Sequence, residues 1–203
     1  MATPYDGKVC LWHWEGEAVS YATIDELTQD VKQQCPVADA IFVKTNDGDS
    51  WQGDYDSKAA MRISGPSDIA KWVQALANQG LEFHAWGVLH GSNVNAEADR
   101  IIQAAQVPGV KSFILDVEPY DLYWQGSRSD VTALMTRVRN ALGDDFHIGL
   151  SVDPREHWYD DIYPDAWRPF VNSVHPQCYW AVIAPHGRKE VEGQKKGKGG
   201  DEK

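Results

Sequence analysis

Segment 113–119 places two carboxylates at the end of an apolar strand. It reads Phe-Ile-Leu-Asp-Val-Glu-Pro, so one residue separates Asp116 from Glu118 and Pro119 ends the strand. Because side chains alternate along a strand, both carboxyl groups share a face, with Cα atoms about 6 to 7 Å apart. Two acids this close push one pKa up and leave the other low, which suits a proton donor beside an anionic partner. The alternative is a salt-bridged or solvated strand end.

The elements that must position this pair follow from an alternation of β-rich and helical patterns. Helix starts are expected at the capping box after Thr23, at Pro66, and after Asn95 and Ser129 as N-caps. Such alternation predicts βα units and a parallel sheet. The expected strands are 9–14, 40–45, 82–89, 110–117, 147–152 and 174–179, and the expected helices are 24–34, 66–79, 96–106, 130–142 and 165–172.

The phase of these strands predicts an α/β fold, a (β/α) barrel of the TIM type. One phase is apolar, as positions under a helix layer should be, and the other becomes polar toward the carboxyl ends, where such barrels gather their chemistry. The polar phase holds Lys44, Asn46, Trp86, His90, Asp116, Glu118, Ser151, Asp153, Gln177 and Tyr179. A doubly wound sheet is the alternative, but no glycine-rich phosphate loop follows the first strand.

The predicted barrel is incomplete. Eight βα units need about 250 residues, whereas this chain of 203 residues shows six recognisable units. We expect the barrel domain to span residues 1–186 and residues 187–203, rich in Gly, Lys and Glu, to form a disordered polar tail. Open strand edges would favour association, although the pattern leaves the oligomeric state open.

Aromatic residues near the strand ends suit a polysaccharide partner. The chain has nine tryptophans, and Trp14, Trp86 and Trp180 sit at or just after predicted strands. Flat apolar rings beside carboxylates and amides match the C–H faces and hydroxyls of sugars. Packing in the core is the alternative for these rings, and it is the expectation for Trp72 and Trp167 on helical patterns. The predicted substrate-binding residues are Trp14, Lys44, Asn46, Trp86, His90, Asp153, Gln177 and Trp180.

Charge and hydropathy argue against other partners. The formal net charge is −11, and nucleic acid binding needs a basic face, so no nucleic acid partner is expected. No apolar run reaches the roughly 20 residues that span a bilayer, and the N-terminus lacks the features of a signal peptide. We therefore expect no membrane partner and a cytoplasmic chain, unless it is released as a lysin or belongs to a longer secreted protein.

No cofactor or metal is predicted. The histidines form no HExxH motif, and the segment Asp47-Gly-Asp49 lacks the downstream acid of a calcium loop and is expected to be a turn. Ser151 lacks the Gly-x-Ser-x-Gly elbow of a serine hydrolase. Cys10, Cys35 and Cys178 show no paired spacing, so free buried thiols are expected.

Four segments carry a resemblance to a known group of enzymes. Phe-Val-Lys-Thr-Asn-Asp-Gly48, His-Ala-Trp-Gly-Val-Leu-His90, Phe-Ile-Leu-Asp-Val-Glu118 and Pro-Gln-Cys-Tyr-Trp180 occur one per strand. Together they resemble glycoside-hydrolase barrels related to the family 25 muramidases, with a looser likeness to family 18 chitinases. The resemblance covers about residues 8 to 180. It implies that Glu118 is the proton donor, that Asp116 steadies a substrate N-acetyl group, and that Tyr179 contacts that group.

Three functions follow as hypotheses. The first is a retaining glycosidase acting on an N-acetylated polymer such as peptidoglycan. The second is a carbohydrate-binding barrel without turnover, because the muramidases begin with an Asp at the end of the first strand, where this chain has His13-Trp14-Glu15. The third is a truncated, inactive fragment of such an enzyme.

Overall fold

The computed structural model describes residues 2–178, except for the side chains of residues 156 and 157. Within that range the fold is α/β, with helices on the outer face of a curled sheet. The strands are β1 (Val9–His13), β2 (Ala38–Asp47), β3 (Ser50–Trp51), β4 (Glu82–Val88), β5 (Val110–Asp116), β6 (His147–Val152) and β7 (Ser173–Pro176). The helices are α1 (Ile24–Gln34), α2 (Pro66–Asn78), α3 (Val94–Ala105), α4 (Arg128–Leu142), α5 (Glu156–Asp161) and α6 (Pro164–Trp167).

Six strands form a parallel half-barrel in the order β1-β2-β4-β5-β6-β7. The predicted sequential parallel order is confirmed, and the curvature is compatible with an incomplete barrel. The two-residue strand β3 adds a short antiparallel pairing to β2 that the sequence pattern did not indicate. The tail predicted for 187–203, and the end of the domain at 186, lie outside the described residues.

Helix starts differ from the predictions by small shifts. Thr23 caps α1 and Pro66 opens α2, as expected. The caps of α3 and α4 are Asn93 and Ser127, so the predicted caps two residues later were wrong. Each helix contains a second polar residue that fits the capping pattern, and only the path of the incoming loop decides which one is used.

The region after β6 departs most from the prediction. The expected helix 165–172 is only Pro164–Trp167, and a second short helix, α5, precedes it. Trp167 anchors this region, because its side chain is fully buried and its Nε1 donates to the carbonyl of Ile162 at 2.8 Å. The helical pattern of 165–172 therefore did not predict where the helix ends, and the structure of this region centres on the buried ring of Trp167.

The predicted apolar phase is confirmed as the main core between sheet and helices. Trp72 on α2 is 1% exposed, as expected for a core residue. The core-facing strand residues include Ile41, Val43, Phe83, Ala85, Phe113, Leu115, Val117, Ile148, Leu150 and Val152. The three cysteines are free, but Cys10 and Cys35 are only half-buried and Cys178 is exposed, so their predicted burial was wrong.

The amino end of the half-barrel is closed from inside by the segment before β1, a region we call the floor. The hydroxyl of Tyr5 lies 2.7 Å from His147 Nε2, 2.7 Å from Ser173 Oγ and 2.8 Å from His175 Nε2. Its ring packs against Phe42 at 5.6 Å between centroids. Burial lowers the pKa of His147 to about 4, so the floor histidine is neutral at physiological pH.

Both edges of the described sheet carry exposed apolar side chains. Trp12 and Trp14 at the β1 edge are 50% and 55% exposed, and Val174 on β7 is 48% exposed. Unpaired strand edges promote pairing with other chains. Whether this chain associates through them stays a prediction. In the part of the chain that the structure describes, no helix is both long and apolar enough to cross a membrane.

Candidate functional site

A cleft of about 820 Å³ opens at the carboxyl ends of the strands. This volume lies within the roughly 300 to 1,000 Å³ typical of small-molecule sites. The cleft is lined by Trp12, Trp14, Lys44, Asp47, Trp86, Val88, Asp116, Glu118, Tyr123, Ser151, Val174, His175, Pro176 and Gln177. The acid pair identified from the sequence therefore shares one concavity with aromatic rings from the first strands.

The acid pair is held by one amide nitrogen. Gln177 Nε2 donates to Asp116 Oδ1 at 2.7 Å and to Glu118 Oε1 at 2.9 Å, with Ser151 Oγ at 3.2 Å. Gln177 directly follows β7, and β6 holds its backbone, because the N–H of Gln177 donates to the carbonyl of Val152 at 2.9 Å. Because both oxygens bond to one nitrogen, Asp116 Oδ1 and Glu118 Oε1 can be no more than about 5.6 Å apart.

Burial keeps the proton on this pair. It raises the pKa of Asp116 to about 7, and the charge of Glu118 adds to the rise, whereas hydrogen bonds from Ser151 and Gln177 oppose it. The pKa of Glu118 is also raised by burial, against the hydrogen bond from Gln177. A carboxyl group with a pKa near neutrality can both give and take a proton under working conditions.

Lys44 supplies a positive charge to the same cleft. Its side chain is buried, its Nζ lies 2.6 Å from Asp47 Oδ2, and it sits 5.9 Å and 5.6 Å from the ring centroids of Trp14 and Trp86. His90 stands behind Asp47 rather than on the cleft wall, with Nε2 2.7 Å from Asp47 Oδ1. This hydrogen bond raises the pKa of His90.

A β-bulge separates Asn46 from the cleft. The register of β2 against β4 shifts between Lys44 and Asn46, so Asn46 lies beside Gly87 and Asp47 lies beside Val88. Asn46 is fully buried, and a Cβ on Gly87 would meet its Oδ1 at 2.4 Å. An extra residue in one strand reverses the alternation beyond it, which turns Asp47 into the cleft in place of Asn46.

Asp153 is committed to an ion pair beside the cleft. Arg155 and Tyr120 donate hydrogen bonds to its carboxylate. Burial alone would raise the pKa of Asp153, but these hydrogen bonds outweigh it and lower that pKa to about 2. Asp153 is therefore an anion near Glu118, and it adds to the electrostatic rise of the Glu118 pKa. It does not line the cleft.

The aromatic wall is ordered by ring contacts. Trp12 stacks on Phe42 with centroids 4.7 Å apart, and the indole Nε1 of Trp86 donates to the carbonyl of His13 at 3.0 Å. Trp14 lines the cleft and leaves about half of its surface exposed at the cleft mouth. Tyr179 and Trp180, predicted as site residues, lie outside the described residues.

Sequence reasoning missed several lining residues. Asp47 was expected to be part of a turn, and only the bulge explains its position. Tyr123 comes from the loop after β5, whose path has no periodic pattern to predict it. Trp12 and His175 occupy the inward phase of β1 and β7, so counting back by two from Trp14 and Gln177 would have found them.

A larger concavity, of about 1210 Å³, lies between α3 and α4. Its arginines are engaged in ion pairs, Arg137 with Asp99 and Arg128 with Asp165. All four of these side chains are more than 40% exposed, so the groove lacks the buried titratable groups that mark a catalytic site. The cleft at the strand ends remains the candidate functional site.

Comparisons with known proteins leave the resemblance untested. No protein-family model matches the chain, and no curated protein matches it at a significant level. Within residues 2–178, no three His, Cys, Asp or Glu side chains are grouped so that they could hold a metal ion.

Proposed function

We propose that this chain is a glycosidase of a TIM-type barrel, related to the family 25 muramidases, that hydrolyses an N-acetylated polysaccharide such as peptidoglycan. The observation that carries the proposal is the acid pair Asp116 and Glu118, bridged by one amide nitrogen at the base of an aromatic cleft. The sequence resemblance supports the choice of substrate, and the geometry supports the choice of reaction.

Glu118 gives its proton to the glycosidic oxygen as the bond to the anomeric carbon breaks. It is the more exposed of the two acids, since Asp116 is 8% exposed and lies one strand step deeper. Asp116 faces the opposite side of the forming positive charge, where it orients the N-acetyl oxygen that attacks the anomeric carbon.

The aromatic rings bind the sugar before this step. Trp14 and Trp86 flank Lys44 at the β1 and β2 side of the cleft. Flat rings with exposed faces take the C–H surface of a pyranose, and the polar groups between them hydrogen-bond its hydroxyls.

The test is hydrolysis of purified cell walls and of chitin by the wild type and by Glu118→Gln. The variant keeps the shape of the side chain and loses the proton, so we expect kcat to fall by about 10²-fold or more. Asp121→Asn, a change to an exposed acid on the following loop, is the matched control and should leave the rate unchanged. Full activity in Glu118→Gln would refute the mechanism.

A carbohydrate-binding barrel without turnover is the second candidate, and the half-exposed Trp12 and Trp14 favour it. Wild-type protein that sediments with cell walls but releases no reducing ends would establish this function instead. Loss of sedimentation in Trp14→Ala, with Asp116→Asn unaffected, would locate the binding surface on the aromatic wall.

A further inference from the structure

We propose that Gln177 is the positioning residue of the acid pair: its amide nitrogen holds the two carboxyl groups at a fixed distance from each other and shares its two protons between them. The geometric part of this proposal stands on the contacts alone, and its catalytic part rests on the proposed function. The resemblance that implied the acid pair assigned no such role to this residue.

The contacts of the amide fix its orientation. Three oxygens surround Nε2, at 2.7, 2.9 and 3.2 Å, and two of them belong to acids. Only the NH₂ end of the amide can donate, so the oxygen end must point away from the pair. With two protons for three acceptors, the two shortest contacts take them, and Ser151 at 3.2 Å is free to donate its own hydroxyl proton to Asp116.

The amide of Gln177 is a neutral hydrogen-bond donor between the two acids, and its neutrality lets the pair keep its proton. A lysine or arginine here would form charge-assisted bonds, which are roughly twice as strong, and would hold both acids ionised. The neutral amide stabilises each carboxylate only moderately, so burial still keeps the pKa of Asp116 near 7. The amide thus fixes the geometry of the pair without removing its proton.

The other charged groups around the pair are fixed by their own partners. Lys44 lowers the pKa of Asp116 from the β2 side, but it is neutralised by Asp47. Asp153 raises and Arg155 lowers the pKa of Glu118, and these two form an ion pair with each other. Within residues 2–178, Gln177 is the residue whose side chain hydrogen-bonds to both acids.

The shared donor has a consequence for the reaction. When Glu118 loses its proton to the leaving oxygen, the new negative charge forms beside an N–H that already faces it. Such a preorganised donor needs no rearrangement during the step, and this is how enzymes lower barriers electrostatically. In the second half of the cycle the Glu118 carboxylate takes a proton from water as the water oxygen bonds to the anomeric carbon and the N-acetyl oxygen leaves it. This restores the starting state, so the amide serves both halves of the cycle.

The experiment is a titration of the two acids by ¹³C NMR of their carboxyl carbons, in the wild type, Gln177→Met and Gln177→Lys. Met keeps the length of the side chain and removes the donor, so the pKa of both acids should rise; Lys adds a cationic donor, so both should fall. Gln125→Met is the matched control, because Gln125 donates to the carbonyl of Tyr120 on an exposed loop. It should change neither value.

Activity provides the second readout. The bell-shaped pH profile of kcat should move upward in Gln177→Met, with kcat at the optimum lower by about 10- to 100-fold and KM little changed, as expected when reacting groups lose alignment. Unmoved carboxyl pKa values in both folded Gln177 variants would overturn the positioning role. If the carboxyl pKa values shift in the Gln177 variants but the wild type hydrolyses no glycan, the positioning role is supported and the proposed function alone is refuted.

Discussion

The inner face of the half-barrel buries ionisable groups at both ends, and the surroundings of these groups differ between the two ends. At the floor, the Tyr5 hydroxyl contacts both His147 and His175, and burial lowers the pKa of the histidines. At the carboxyl ends, Asp116 and Glu118 face an open cleft, and burial raises their pKa. In both places the protein favours the uncharged form.

The difference lies in what surrounds the uncharged groups. His147 is held by Tyr5 and Ser173 and does not line the cleft, so its neutrality serves stability. The acids of the cleft share one neutral donor and keep a face open, so their neutrality provides a proton that can be transferred. Burial of a titratable group thus becomes functional only where a substrate can reach it.

Asp116→Asn should give the largest effect, with opposite signs for activity and stability. Loss of the carboxylate should lower kcat on cell walls by about 10²-fold. The folded-state pKa of about 7 exceeds the ordinary value of 3.8, so the ionised acid destabilises the fold as pH rises through that window. Above pH 7 the variant should therefore unfold at a higher urea concentration than the wild type, with a free energy of unfolding larger by at most about 4 kcal/mol. A variant less stable than the wild type at pH 8 would contradict the role of burial.

His147→Gln should change the acid sensitivity of the fold and leave the cleft unaffected. The folded-state pKa of about 4 lies below the ordinary 6.5, so this histidine contributes stability above pH 6.5 that is lost as pH falls toward 4. Glutamine can still reach the Tyr5 hydroxyl and does not titrate. Urea unfolding from pH 7 to pH 4.5 should show a smaller loss of stability in the variant. An equal loss of unfolding free energy in both proteins would show that protonation of His147 does not destabilise the fold.

Trp14→Ala should produce the smallest change. The ring is 55% exposed at the cleft mouth, so its removal should leave the unfolding midpoint nearly unchanged. Taking the stacking energy of aromatic pairs, about 0.5 to 1.5 kcal/mol, for the ring on a sugar face, we expect KM or the dissociation constant for chitin oligomers to rise by about 2- to 13-fold. Trp72→Ala, in the core, is the contrasting change and should destabilise the fold. Unaltered oligomer binding in Trp14→Ala would remove this ring from the sugar site.

Sequence periodicity carried much of the fold. The order of strands follows from the succession of strand and helix patterns along the chain. The apolar phase under the helices and the shared face of Asp116 and Glu118 follow from alternation of side chains within each strand, and the structure confirms them. Helix caps and the helices after β6 were less predictable, because neighbouring polar residues compete for the same capping role and the loop path chooses between them.

The sequence by itself determined which side chains could do chemistry and on which face of a strand they lie. Only the tertiary structure decided which of them meet. A bulge in β2 placed Asp47 in the cleft where alternation alone would place Asn46. The folding of the sheet brought Gln177 into contact with Glu118, although the two residues are 59 positions apart in the chain. Alternation is a local property of one strand, whereas register, bulges and burial depend on the neighbouring strands, so the pKa of Asp116 is a property of the assembled sheet.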